Sequence, residues 1–146
     1  MNDKTIEQEI QSKGLTAPRV TPADIEAEIA GEHFFTAGDG YAGRAALTVE
    51  EGGVIETPES LDLLTFCVLV LRNGFTVTGE SACASPENFD AEIGRKIARQ
   101  NAVQKIWPLL GFRLRDQLAK EVHGSLQRLL RHQERQRHRQ HLGAER

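Results

Sequence analysis

LLTFCVLVLRNGFTVTGESACASPENFDAEIGRKIARQNAVQKIW, residues 63–107, is the stretch that decides the fold of this chain. Two apolar runs meet at Asn73-Gly74, and this dipeptide between hydrophobic runs is the strongest short-range signal of a β-hairpin. A two-residue turn would pair Val70 with Val77 and put one set of side chains on the core face. That set is Phe66, Val68, Val70, Phe75 and Val77. Because the first strand is apolar on both faces, it is predicted to be a central strand.

A long helix is predicted directly after the hairpin. Ser85 can cap it with Pro86 at its first position, and Asn88 is a competing cap. One stripe is predicted to cover the sheet, and a second, small-residue stripe permits close approach by another element. The first holds Phe89, Ile93, Ile97 and Trp107, and the second holds Ala91, Ala98, Ala102 and Ile106.

The rest of the chain completes an α+β prediction. Pro108 should end or kink the first helix at Trp107, and a second helix is expected over residues 109–130. The fold class is therefore α+β, with an antiparallel sheet built on the Asn-Gly hairpin and followed by two C-terminal helices. Residues 1–20 are expected to be a weakly ordered arm, 21–130 a single domain, and 131–146 a basic, frayed tail.

The segment before the hairpin carries weaker signals. Thr21 and Pro22 are typical of a helix start, and a strand is expected over residues 33–37. Gly38-Asp39-Gly40 is interpreted as a turn, with a backbone anion cradle as the less favoured alternative. Short strands are further expected over residues 45–49 and 54–56.

Composition narrows the class of protein. The chain has 146 residues, two cysteines without metal-ligand spacing and no apolar run of membrane-spanning length. We therefore expect a cytoplasmic protein with no metal, no cofactor and no membrane partner. Residues 1–62 carry 4 basic and 13 acidic side chains (net −9), and residues 63–146 carry 14 and 8 (net +6). The whole-chain charge of −3 does not favour a nucleic-acid partner.

Arg95 and Arg99 lie one helical turn apart beside the small-residue stripe. Two interpretations are open. In the first, the two arginines are part of a solvated surface with i,i+4 pairing. In the second, they line an anion pocket at a contact between subunits, because arginine binds phosphate in a planar, bidentate way. The doubly apolar strand and the two-striped helix also lead us to expect a homo-oligomer.

Three stretches resemble a family of small phage proteins named after gene 49 of phage N4 and gene 66 of phage Sf6. They are NGFTVTGESAC (73–83), SPENFDAEIGRKIAR (85–99) and TPADIEAEIAGEHFFTAGD (21–39). The family implies no enzyme activity. In organisation the chain is also similar to the first type of anti-Thoeris protein, a phage-encoded sponge that holds cyclic ADP-ribose isomers without cleaving them. That similarity implies a host-cytoplasmic oligomer that binds a small cyclic nucleotide signal in pockets between subunits.

The side chains near the hairpin and the helix are compatible with such a ligand. We expect phosphates to be held by the three cations, a base to be stacked by the aromatic rings, and base edges or hydroxyls to be bonded by the polar group. The cations are Arg95, Lys96 and Arg99; the rings are Phe89, Phe75 and Trp107; the polar group is Asn88, Asn101, Thr78, Glu80 and Ser81. The plainer alternatives are core packing for the rings, helix capping for Asn88, and an ion pair with Arg99 for Glu80.

Other functions are weighed against this one. No Ser-His-Asp, Cys-His, zinc-ligand or Walker pattern is present, so we do not expect an enzyme. A nucleic-acid-binding or host-protein-inhibiting phage accessory protein is the alternative. The first would use the basic second helix and tail, through Arg113, Arg115, Arg128, Arg131, Arg135, Arg137 and Arg139.

Overall fold

A computed structural model describes residues 2–144 and has a three-stranded antiparallel sheet in the order β1-β2-β3. The helices are α1 (Asp3–Ser12), α2 (Pro22–Glu28), α3 (Ala37–Ala45), α4 (Glu59–Asp62), α5 (Ala91–Gln104) and α6 (Ile106–Ala144), and the strands are β1 (Ile29–Thr36), β2 (Leu64–Leu71) and β3 (Thr76–Ala82). The α+β fold class is confirmed, and β2 is the central strand, as its two apolar faces predicted.

The chain divides into two compact units, one up to Leu110 and the other from Gly111 onward. The division into an arm (1–20), a domain (21–130) and a tail (131–146) stays a prediction. The expected weakly ordered arm contains helix α1, whose N-cap Asn2 accepts a hydrogen bond from the Thr5 amide. The segment expected to fray after residue 130 continues as helix to Ala144.

The hairpin closes through a three-residue loop, so the predicted register is wrong by one residue. The Leu71 amide donates to the Phe75 carbonyl at 2.8 Å, and the Gly74 amide donates to the Leu71 carbonyl at 2.9 Å. Gly74 has φ +84°, and no non-glycine residue within 2–144 has positive φ. This pattern is a type I turn followed by a glycine bulge. As a result Leu69, not Val70, pairs with Val77.

A shift of one residue exchanges the two faces of β2. The buried face of β2 carries Thr65, Cys67, Leu69 and Leu71, whereas Phe66, Val68 and Val70 are only half-buried. The predicted core face is therefore wrong for β2, and Phe75 is 53% exposed. Ile25, Val77, Ala98, Ala102, Ile106 and Leu110 complete the buried core.

Helix α5 packs on the sheet through its small residues. Gly94, Ala98 and Ala102 are buried, while Ile93 and Ile97 are exposed. The two predicted stripes therefore have exchanged roles along most of the helix. The reason is Gly79 of β3, which lacks a side chain where the helix backbone passes and so lets α5 approach the strand closely. The pairing of β1 with β2 is irregular between Ile29 and Gly31.

Helix boundaries also differ from the predictions near α5. Pro86–Asn88 form a 3₁₀ turn, and α5 begins at Ala91 with Asp90 as its cap, whose side chain accepts from the Ile93 amide at 2.9 Å. Helix α5 ends at Gln104, and α6 begins at Ile106. Pro108 therefore lies in the first turn of α6, where its missing N–H costs no intrahelical hydrogen bond.

The segment before the hairpin is more helical than predicted. Helix α2 begins at Pro22 as expected, and Thr21 and Asp24 form a capping box. The residues interpreted as a Gly-Asp-Gly turn form the first part of α3, where Thr36 and Asp39 make a second capping box. The strands expected over residues 45–49 and 54–56 are absent from the described chain: α3 ends at Ala45, and turns and irregular structure follow it.

Candidate functional site

A small cleft lies where β1, β2, α3 and the start of α5 meet. Its volume is about 120 Å³. It is lined by Phe34, Phe35, Thr36, Asp39, Thr65, Phe89, Ala91 and Arg95, and we call it the Arg95 cleft. It is the place where the structure brings two of the predicted ligand-binding residues, Arg95 and Phe89, together.

Capping interactions fix the walls of the Arg95 cleft. Asp39 accepts from the Thr36 amide at 2.8 Å, and Thr36 Oγ1 accepts from the Asp39 amide at 3.1 Å. These bonds hold the end of β1 against the start of α3. Asp90 caps α5 on the other side and so orients Phe89, which directly precedes it. At Gly94 a Cβ would lie 3.0 Å from Thr65 Oγ1, so the helix passes close to β2.

Arg95 brings a positive charge to the cleft, whose lining also includes the carboxylate of Asp39. Arg95 is exposed, and within residues 2–144 it makes no ion pair or side-chain hydrogen bond. The nearby carboxylate of Asp39 is committed to the cap of α3. A guanidinium and an aromatic ring at one cleft can bind an anionic group together with a planar one, because arginine pairs with phosphate and stacks on flat rings.

Arg99 has a different environment from Arg95. Its Nη1 and Nη2 donate to the two carboxylate oxygens of Glu26 at 3.1 and 2.8 Å, and its Nε donates to Glu32. The pair lowers the pKa of Glu26 and raises that of Arg99, chiefly through these hydrogen bonds. Arg99 therefore ties α5 to α2 and β1. The alternative in which Glu80 pairs with Arg99 is not what the structure has, because Glu26 and Glu32 are its partners.

The other two predicted residues within α5, Lys96 and Asn101, also have partners in the protein. Lys96 pairs with Glu92 one turn earlier at 2.8 Å, with both side chains exposed. Asn101 Nδ2 donates to the Glu80 carbonyl at 2.8 Å and so joins α5 to β3. Asn88 lies in the 3₁₀ turn and is exposed.

None of the predicted residues of β3 and the hairpin lines the Arg95 cleft, although Ser81 is the strand partner of Thr65, which does. Thr78 and Glu80 are exposed on the sheet face opposite to the buried Val77 and Gly79, which face α5. Ser81 is half-buried and pairs with Thr65 in the ladder. Phe75 lies at the hairpin loop, none of whose residues line the cleft.

Trp107 lies at a second group of clefts, beside α1. One of these clefts, about 220 Å³, is lined by Ile6, Ile10, Arg19, Trp107 and neighbouring residues. Another, about 340 Å³, is lined by Ile25, Val103, Trp107 and neighbouring residues. Arg19 makes two hydrogen bonds to Glu7, at 2.5 and 2.6 Å, which attach α1 to the start of the core and lower the pKa of Glu7. The Trp107 Nε1 atom is buried without a hydrogen-bond partner in the described chain.

Sequence reasoning missed most of the residues that surround Arg95 and Arg99. Glu26 and Glu32 gave no local signal, because their partner is far away in the chain. Thr36 and Asp39 did give one: Thr-x-x-Asp is a capping pattern, and it predicts a helix where a turn was assigned.

Two negative findings apply to the described residues. Within 2–144 no group of three or more His, Cys, Asp or Glu side chains is placed to hold a metal ion. None of the helices in this range combines the length and apolar character needed to cross a bilayer.

These features define a small α+β protein whose three-stranded sheet is backed by one helix and bordered by an arginine-bearing cleft. The chain belongs to the Phage protein (N4 Gp49/phage Sf6 gene 66) family, whose model matches residues 20–118, well over half of its length. No curated protein and no solved structure matches it. The matched region contains the sheet, α5 and the whole Arg95 cleft, and it excludes α1 and most of α6.

Proposed function

We propose that this phage protein binds a cyclic nucleotide immune signal, a cyclic ADP-ribose isomer or a cyclic oligonucleotide, and sequesters it without cleaving it. One observation supports the proposal above the others: the guanidinium of Arg95 has no partner among residues 2–144 and shares a cleft with Phe89. Arg95 would bind a phosphate, and Phe89 would stack on a base. Membership of a phage family is consistent with a role in the infected cell.

The Arg95 cleft by itself is too small for this ligand. Its volume of about 120 Å³ is below the roughly 300–1,000 Å³ of ordinary ligand pockets. We therefore propose that a second copy of the chain completes the site. Two apolar surfaces are available for such a contact: the open sheet face with Phe66, Val68 and Val70, and the outer face of α5 with Ile93 and Ile97.

Arg99 is not part of the proposed phosphate site. Three of its donors are already bound to the two carboxylates, and removing a phosphate from water to compete with them would cost free energy. The proposal is thus narrower than the two-arginine pocket predicted from sequence. Arg95 and Phe89 remain in it, and Arg99 acts by holding α5 in place.

The test is a binding measurement with purified protein. Isothermal titration with cyclic ADP-ribose isomers and cyclic dinucleotides should find one that binds stoichiometrically, and denaturing the complex should release it intact. Arg95→Gln should weaken that binding by at least tenfold, roughly the 1.4 kcal/mol of one charge-assisted contact. Arg72→Gln, an exposed arginine of the hairpin loop, is the matched control and should bind normally.

Three results would overturn the proposal. They are recovery of hydrolysed ligand, unchanged affinity in Arg95→Gln, and failure of every member of the panel to bind. Light scattering separately tests whether a second copy of the chain completes the site. A monomer that still binds the ligand would place the whole site within one chain.

A further inference from the structure

Helix α6 carries a row of arginines that the proposed function does not use. Arg128, Arg131, Arg135 and Arg139 follow the spacing i, i+3, i+7, i+11, so they lie along one face of the helix. At 1.5 Å per residue the row is about 16 Å long. All four side chains are exposed, and we call them the arginine row.

The charge of the arginine row is almost unopposed. Residues 127–144 contain five arginines and one acidic residue, Glu134, which gives 5 − 1 = +4. Arg128 donates to Ser125 Oγ at 3.0 Å, and within residues 2–144 the other three members make no side-chain ion pair or hydrogen bond.

Like charges one helical turn apart destabilise a free helix, by about 0.2–0.5 kcal/mol per pair. Arg131, Arg135 and Arg139 are spaced in that way, and no acidic side chain separates them along the row. The arrangement is unfavourable for a helix alone in water. It becomes favourable when a regularly spaced polyanion lies alongside.

We propose that α6 binds the phosphate backbone of duplex DNA through the arginine row. A linear set of guanidiniums matches a linear set of phosphates, and each arginine can bind phosphate oxygens in a bidentate way. A helix about 10–12 Å wide also fits a major groove of about 12 Å. This inference is independent of the cyclic nucleotide proposal, since residues 119–144 lie outside both the Arg95 cleft and the family match.

The composition of α6 disfavours a membrane surface as the occupant. Helices that lie in a bilayer interface need an apolar face along their length. Residues 131–141, RHQERQRHRQH, contain no apolar side chain. The exposed Val122, Leu126, Leu129 and Leu130 precede this segment and Leu142 follows it, so the part of α6 that carries three of the four arginines has no apolar side chain to insert.

The continuous helix is what changes the assessment of nucleic acid. If the segment were a frayed tail, its arginines would be scattered, and the whole-chain charge of −3 argued against a nucleic-acid partner. Because the segment is helical to Ala144, the arginines form one surface. Sequence-independent binding of this kind depends on local positive charge rather than on the charge of the whole chain.

The experiment measures fluorescence anisotropy of a labelled DNA duplex of about 20 base pairs, between about 50 and 200 mM salt, with the full-length protein. We expect micromolar binding at low salt that weakens steeply as salt rises. The triple variant Arg131→Gln, Arg135→Gln, Arg139→Gln should bind at least tenfold more weakly. A plot of log K against log salt concentration should also have a slope shallower by about 2.7 for this variant, because each of the three lost phosphate contacts contributes roughly 0.9.

A charge-matched control separates an effect of the arginine row from an effect of the protein's total positive charge. This second triple variant, Arg44→Gln, Arg72→Gln, Lys105→Gln, lacks three exposed cations elsewhere and should bind DNA like the parent protein. Circular dichroism provides a second readout: the row variant should keep the helix signal of the parent protein, so that its weaker binding is not due to loss of α6.

Four outcomes would overturn the inference. They are no DNA binding at about 50 mM salt, equal loss in both triple variants, binding to anionic lipid vesicles without binding to DNA, and a salt-sensitive self-association that accounts for the row without DNA. Each is distinguishable from failure of the cyclic nucleotide proposal, which depends on Arg95→Gln.

Discussion

Gly79 of β3 and Ala98 of α5 are in backbone contact. A Cβ built at Gly79 would lie 2.0 Å from the Ala98 carbonyl oxygen and 2.3 Å from the Ala102 amide nitrogen. Real Cβ atoms do not approach backbone so closely, so this glycine sets the distance between the helix and the sheet. The buried small residues of α5 pack at that distance, and the cleft at the start of the helix depends on it.

Gly79→Ala should therefore destabilise the fold strongly. The methyl group must push α5 away from β3, and overpacking of this kind costs about 1–3 kcal/mol or more. Urea denaturation should show a lower midpoint. Gly43→Ala is the matched control, because Gly43 lies in α3 with nothing within 4 Å of the added methyl. It should gain about 0.5–1 kcal/mol. Equal stability of Gly79→Ala and the parent protein would contradict the observed packing.

The Arg99–Glu26 pair should contribute to stability in a pH-dependent way. Both side chains are partly exposed, at 30% and 57%, so Glu26→Gln should cost only about 0.5–1 kcal/mol at pH 7. Arg99 holds the pKa of Glu26 below its ordinary value of 4.5. A carboxylate with a lowered folded pKa stabilises the fold above its unfolded pKa, and that stabilisation is lost as the pH falls through the folded pKa.

The difference in unfolding free energy between Glu26→Gln and the parent protein should thus be full above about pH 5 and shrink progressively at lower pH. Denaturation across this range measures it. Glu92→Gln, which breaks the more exposed pair with Lys96, is the control and should show a smaller difference at every pH. A difference that grows on acidification would mean that the sign of the coupling is reversed.

Local patterns predicted the elements of this fold better than their contacts. The central position of β2 followed from its apolar residues, and the proximity of Arg95 to Phe89 followed from their being six residues apart. By contrast, the Arg99 cluster joins residues separated by 67 and 73 positions, and no periodicity within a helix can indicate such partners. Thr36 and Asp39 form the other wall of the Arg95 cleft; their capping pattern indicates a helix start, but it does not indicate that this helix start lies beside Arg95.

The faces of the sheet were mispredicted through one ambiguity in turn geometry. Asn-Gly fits a two-residue type I′ turn, and it also fits a three-residue loop in which only the glycine takes positive φ. The two turns differ by one residue in strand register. A shift of one residue changes which face of β2 lies on the same side of the sheet as Val77 of β3. Since β2 is apolar on both sides, its own sequence could not choose between them.

Replacing Asn73 with glycine distinguishes the two turns. In a type I′ turn both loop residues have positive φ, and Asn73→Gly would relieve strain. In the observed loop Asn73 does not have positive φ, and its Oδ1 accepts from the Phe75 amide at 3.0 Å. Asn73→Gly should therefore destabilise, by about 0.5–1 kcal/mol from chain entropy and more from the lost hydrogen bond. A thermal scan showing a higher melting temperature would contradict the assigned loop.

The two cysteines should differ sharply in reactivity. Cys67 is fully buried in β2, and burial, with Glu32 adding to it, raises the pKa of its thiol. Cys83 is half-buried, and its Sγ donates to the Ser85 carbonyl at 3.1 Å. Because the thiolate is the reactive form and needs access to the reagent, iodoacetamide should label Cys83 first. Mass spectrometry of the native protein should find Cys67 unlabelled until urea is added.

In Cys83→Ser the native protein should take up no label on that timescale, while Cys67→Ser should label like the parent protein. Equal labelling of both cysteines would show that the sheet opens far more readily than its packing against α5 implies.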